Sequence, residues 1–213
     1  MPLPPVKPWL PAPARCWSAA RWCGWLALGL SGGCTGPLPP TAYQAYLADP
    51  AHGLTQTVER QGATITCAYQ PTDLLVYQDL TRTPGARPDS LARAYAGKTY
   101  CTLTLARQGR EIESALVNYP AAYQQALTYL NTGIAADAVL STSPRDSAAA
   151  VASMYVRQYG TTGHSTVLLV FPVPRPPRQG FKLTVRAHPL GLGTLRFAFA
   201  DRDLAALPAL KLP

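Results

Sequence analysis

The alternation of apolar and polar positions divides the chain into a first part of mixed helices and strands and a second part of strands alone. Thr41–Ala48, TAYQAYLA, reads as a short helix with Thr41 as a candidate N-cap. It ends at Asp49-Pro50, and His52-Gly53 supplies a turn. Leu54–Arg60 and Ala63–Gln70 alternate on either side of Gln61-Gly62, the pattern of a β-hairpin. Pro71-Thr72-Asp73 then opens LLVYQDL, a helix of two turns by its proline and threonine, with a buried strand as the alternative reading. Ser90–Ala96 adds a helical turn closed by Gly97, and Lys98–Arg107 is a clear strand onto which Glu111–Val117 can pair back. Pro120–Leu130 is the strongest helix. Tyr123, Ala126, Leu127 and Leu130 share one face, and Asn131 and Gly133 signal its end.

Beyond Ala135 the period is two. Ala138–Ser141, Ala150–Tyr159, Thr166–Val173, Gly180–Ala187 and Thr194–Ala200 are strand candidates at the spacing of an antiparallel sandwich. Phe181, Leu183 and Val185 face one way and Lys182, Thr184 and Arg186 the other; Leu195, Phe197 and Phe199 repeat the pattern with Arg196 outward. The expected fold is mainly β (α+β), an antiparallel sandwich with two or three accessory helices.

The stretch before these elements has a different character. Trp22–Cys34, WCGWLALGLSGGC, is an apolar run, then small residues, then a cysteine, with Arg15 and Arg21 just ahead of it. It resembles a bacterial lipoprotein signal peptide, although Ser31 stands where that pattern prefers a large aliphatic residue. The apolar run of Trp22–Leu30 is well short of the ~20 residues that a membrane-spanning helix needs. The resemblance implies residues 1–33 as a signal peptide, lipidation at Cys34, a Pro-rich tether over 34–40 and one globular domain over 41–213. Thr35, rather than aspartate, after the cysteine implies sorting to the outer membrane.

Three further stretches carry a second resemblance. FPVPRPPRQGFKLTVRA and LGTLRFAFADRDL are similar to the last strands of immunoglobulin-like sandwiches in bacterial lipoproteins. DPAHGLTQTVERQGATITCAYQPTDLLVYQDL, with its turn of Tyr69, Pro71 and Asp73, resembles uncharacterised lipoproteins of Bacteroidetes-type bacteria. The implied role is a lipid-anchored envelope protein that binds or scaffolds an envelope protein or glycan without catalysis. An envelope hydrolase acting on glycan or peptide is the alternative.

Composition fits this picture. Hydrophobic residues make up 47% and charged residues 14%, which argues against disorder. Loss of Lys7, Arg15 and Arg21 with the leader takes the net charge from +8 to +5, too little to imply a nucleic-acid partner. Arg175, Arg178, Lys182, Arg186 and Arg196 form a candidate patch for anionic surfaces, against the simpler reading of a soluble outer face. Of five cysteines, Cys16 and Cys23 leave with the leader and Cys34 takes lipid. Cys67 and Cys101 remain as a candidate disulfide, or as two separately buried thiols.

Catalytic signals are weak. Gly163-His164-Ser165 matches half of a nucleophile elbow, but Val167 replaces the second glycine. Glu111 and Glu113 can place two carboxylates on one strand face, a pairing more often solvated than catalytic. Asp201 and Asp203 read as a cap for a last helical turn. No metal-ligand spacing, phosphate loop or dinucleotide fingerprint occurs, so no cofactor is expected.

Overall fold

The computed structural model describes residues 36–174 and 179–212. The first helix, α1 (Pro40–Ala48), begins on Pro40, whose fixed φ suits the first helical position, so Thr41 lies inside the helix and does not cap it. Tyr43 and Leu47 are its buried contacts with the core. The hairpin of β1 (Thr55–Arg60) and β2 (Ala63–Gln70) turns through Gln61 and Gly62, both at positive φ, as the two-residue loop requires. Then come α2 (Thr72–Arg82) and α3 (Pro88–Tyr95), joined through the Tyr95 hydroxyl and the Asp79 carboxylate. The strand β3 (Thr99–Arg107) follows, and the two-residue β4 (Arg110–Glu111) folds back on its end.

The expected strand over Glu111–Val117 stops after Glu111. Ile112 and Glu113 are both buried, and a 3-10 turn over Glu113–Leu116 turns the chain away from the sheet. The next helix, α4 (Pro120–Thr128), does not end at Asn131-Gly133. It continues through a π-helical turn, Tyr129–Gly133, into α5 (Ile134–Asp137). Leu130 and Ile134 are both fully buried, and their burial outweighs the ~1 kcal/mol that a helical glycine costs. Gly133 fits the widened turn because a Cβ there would lie 2.8 Å from the Tyr129 ring.

The remaining strands are β5 (Ala138–Ser143), β6 (Asp146–Ala149), β7 (Ala152–Val156), β8 (Ser165–Phe171), β9 (Phe181–Ala187) and β10 (Gly193–Phe199), before a last helix, α6 (Asp201–Ala205). The strand expected over Ala150–Tyr159 is shortened to β7, and Ala150-Val151 carries the chain from β6 in one sheet to β7 in the other. Ala200 occupies the N-cap position of α6 with no side-chain cap, so Asp201 and Asp203, expected as a cap, fall within its first turn.

The strands form an antiparallel β-sandwich. One sheet runs β1-β2-β3-β8-β7, with β4 on β3; the other runs β10-β9-β5-β6. Ile65, Cys67, Leu103, Leu105, Val167 and Leu169 line the first inner face, and Leu140, Leu183, Val185, Leu195 and Phe197 the second. Tyr69 meets Phe181 between the sheets, edge to face at 5.9 Å, and Phe181 stacks on its strand partner Phe199 at 4.6 Å. Gln56 of β1 brackets Ala198 of β10, donating to its carbonyl and accepting from its N–H at 3.0 Å, which ties the two sheets together along one edge. The two ends of the domain also meet: Leu38 bridges Leu210, with N–H···O bonds of 2.8 Å to Ala209 and from Lys211.

Candidate functional site

The short β4 and the turn after it bring the two acidic residues to the start of β8. Glu111 is 4% exposed and Glu113 1% exposed, so the solvated strand face expected for them does not exist. Glu113 accepts from the Ser165 hydroxyl with one oxygen and from the Tyr155 hydroxyl with the other. Ser165 in turn accepts from the Ile112 N–H at 3.0 Å. Glu111 accepts from Gly160 N–H at 3.0 Å and from Ser114 Oγ at 3.3 Å. Among the described residues neither carboxylate has an ion-pair partner within 4 Å. Both are held by neutral donors, which offset part of the desolvation cost of the buried charge. Burial first, and then the Glu113 carboxylate, push the Tyr155 phenol well above its ordinary value.

Glu111 also forms part of the wall of a cavity of about 550 Å³. The β3–β4 turn forms one side, at Gly109, and the connection between β7 and β8 forms the other, at Gly160–Gly163. The two sides touch: a Cβ on Gly163 would lie 2.9 Å from the Gly109 carbonyl oxygen, so only glycine fits there. Tyr123 of α4 adds a third wall. Arg157 donates to the Tyr123 hydroxyl at 2.5 Å, and its guanidinium lies 4.6 Å from the Tyr159 ring centre and 5.9 Å from that of Tyr123. Tyr159, at φ +53°, is in the left-handed region that a bulky residue seldom adopts, and the residue is 76% exposed.

The half-elbow at Gly163-His164-Ser165 does not present a nucleophile. Ser165 is 1% exposed, and its hydroxyl is engaged by Glu113 and Ile112. The His164 carbonyl accepts from Thr162 Oγ1 at 2.8 Å. Comparison with protein-family models, curated proteins and solved structures finds no match to this chain.

Cys34, Arg175 and Arg178 lie outside the described residues. Lys182, Arg186 and Arg196 fall together on the exposed outer face of the second sheet, as their alternation predicts. Arg196 pairs with Thr184 and so stands diagonally between the other two; Arg186 lies 3.5 Å from Asp137. Lys182 also borders a cleft of about 530 Å³ with Ser141, Thr142 and Asp201.

Cys67 and Cys101 are buried free thiols. They sit on neighbouring strands and on the same inner face, but Cys67 is opposite Leu103 and Cys101 opposite Tyr69. The candidate disulfide is thus a diagonal pair, unbridged here. Burial first, and then contact with Cys101, raise the Cys67 thiol well above its ordinary value.

Among the described residues no three His, Cys, Asp or Glu side chains come together as a metal-ligating group, and no helix is long and apolar enough to cross a membrane. Sequence reasoning missed Ser114, Tyr123, Tyr155, Arg157 and Tyr159 as site residues. The available signal was the placement of two glutamates around an isoleucine, directly after a Gln-Gly turn and ahead of a Gly-rich connection.

Proposed function

We propose that the mature chain is a lipid-anchored cell-envelope protein with a non-catalytic binding or scaffolding role. The observation that carries this reading is the leader: Arg15 and Arg21, a short apolar run, Ser31-Gly32-Gly33, then Cys34. The tether that follows is short, and Leu38 is already held to Leu210 in the folded domain. Two or three acyl chains on Cys34 anchor stably, since each buried CH₂ contributes about 0.8 kcal/mol. Thr35 supports sorting to the outer membrane.

Binding without turnover is supported by the state of the buried acids. Each oxygen of Glu111 and Glu113 already accepts a hydrogen bond from the protein, and Ser165 is used on both sides. One observation favours the hydrolase reading: Glu111 faces a cavity large enough for a small substrate.

Cell fractionation tests the anchor. The native chain is expected with the membranes, and Cys34→Ala in the soluble fraction or retained with its leader. Equal membrane association of the two, both with the leader removed, contradicts it.

A further inference from the structure

The cavity beside Glu111 has a lining whose hydrogen-bonding character selects a ligand class. We infer that it is a binding site for a neutral saccharide. The inference rests on the binding role proposed above and names the ligand of that role.

The lining offers both acceptors and donors. Glu111 uses one acceptor position on each oxygen, and a carboxylate has about four, so acceptor capacity remains at the cavity wall. The hydroxyls of Thr161 and Thr162 donate to the backbone carbonyls of Gln158 and His164, which leaves their oxygens to accept. On the donor side the lining includes Arg110 and Tyr123. Tyr123 accepts from Arg157 and therefore has its own proton to give. A ligand that fits both sets must carry groups that donate and accept at once, as sugar hydroxyls do.

Charge narrows the class further. An anionic ligand meets the buried Glu111 carboxylate, which no ion pair neutralises among the described residues. A cationic ligand is drawn to Glu111 but meets Arg110 in the same wall, with Arg157 held against Tyr123. A neutral polyol meets neither repulsion. Tyr159 is outside the lining itself, but its chain neighbour Gly160 is in it, and the Arg157 guanidinium that lies against the exposed Tyr159 also bonds the lining Tyr123, which puts an apolar platform beside the cavity. A sugar ring has apolar C–H faces as well as a polar edge, and an exposed tyrosine is suited to both. The volume of about 550 Å³ is within the roughly 300–1,000 Å³ of small-molecule sites.

The test is calorimetric titration of the full processed protein with five tetrasaccharides. Cellotetraose, maltotetraose and N-acetylated chitotetraose are neutral; tetragalacturonate is anionic and the deacetylated chitosan tetramer cationic. The inference expects one neutral probe to bind at least about 10-fold more tightly than either charged one. Glu111→Gln should weaken that binding about 10-fold, the loss of one charge-assisted hydrogen bond. Tyr159→Ala should weaken it as well, and because this ring is exposed the variant tests the site even where Glu111→Gln fails to fold. Glu59→Gln, an exposed acid on β1, is the charge-matched control and should leave binding unchanged. Preference for a charged probe, no binding by any neutral probe, or binding indifferent to both Glu111→Gln and Tyr159→Ala overturns the inference. Appearance of new reducing ends during the titration supports the saccharide site while overturning the non-catalytic role. Absence of all binding overturns the site and leaves the lipid anchor standing.

Discussion

The Glu113 carboxylate accepts a hydrogen bond from the Tyr155 hydroxyl, joining the turn after β4 to edge strand β7. Its other oxygen does the same for Ser165 at the start of β8. One buried acid therefore sets the relative positions of three segments that approach the cavity.

Glu113→Ala leaves the buried Ser165 hydroxyl and the half-buried Tyr155 hydroxyl without their acceptor. An unsatisfied buried group costs about 1–3 kcal/mol, so a loss of about 2–4 kcal/mol is expected in urea denaturation. Tyr155→Phe removes one donor from the charged acid and should cost about 1.5–3 kcal/mol. A Glu113→Ala protein as stable as the native one would remove this acid from the account.

Stability should fall at high pH. Burial, with Asp79 second, pushes Tyr95 up to about 12, and Tyr155 and Tyr129 are raised further in the same direction. Their unfolded values are near 10. A raised folded value means that the folded state holds its proton more tightly. The stabilisation is therefore complete below pH ~10 and is lost as pH rises toward and through the folded values. Melting temperature measured from pH 8 to 12 should decline above pH ~10, and less steeply in Tyr155→Phe.

Cys67 and Cys101 should remain thiols. Diagonal partners on antiparallel strands are about 7–8 Å apart, at or beyond the ~7 Å limit for a disulfide without backbone movement. Alkylation in denaturant without reductant should label both cysteines, and alkylation of the native protein neither, since both are fully buried. A mass two hydrogens lower, with no labelling before reduction, would show a bridge.

Gly163→Ala places a methyl group 2.9 Å from the Gly109 carbonyl oxygen, between the two loops that wall the cavity. Overpacking of this kind costs about 1–3 kcal/mol. The expected result is a loss of stability in that range; an unchanged denaturation midpoint would mean that the loops part freely.

Much of the fold was legible because one face of each long strand is apolar. The alternation of Phe181–Ala187 and Thr194–Ala200 placed Lys182, Arg186 and Arg196 outward, and the register confirms that they share a face. The site was not legible. Two glutamates flanking Ile112 read as solvated because acidic residues are seldom buried, and the hydroxyl partners of Glu113, Tyr155 and Ser165, are distant in sequence, as is Gly160, which bonds Glu111. The missed helix extension has a similar cause: Asn131 and Gly133 are local stop signals, and burial of Leu130 and Ile134 overrides them.

The most direct test of the central claim is the intact mass of the processed chain purified from membranes, with fragmentation of its first peptide. The expected chain starts at Cys34 and carries diacylglycerol on the sulfur. An unmodified amino terminus, or a chain with residues 1–33 still attached, would contradict it.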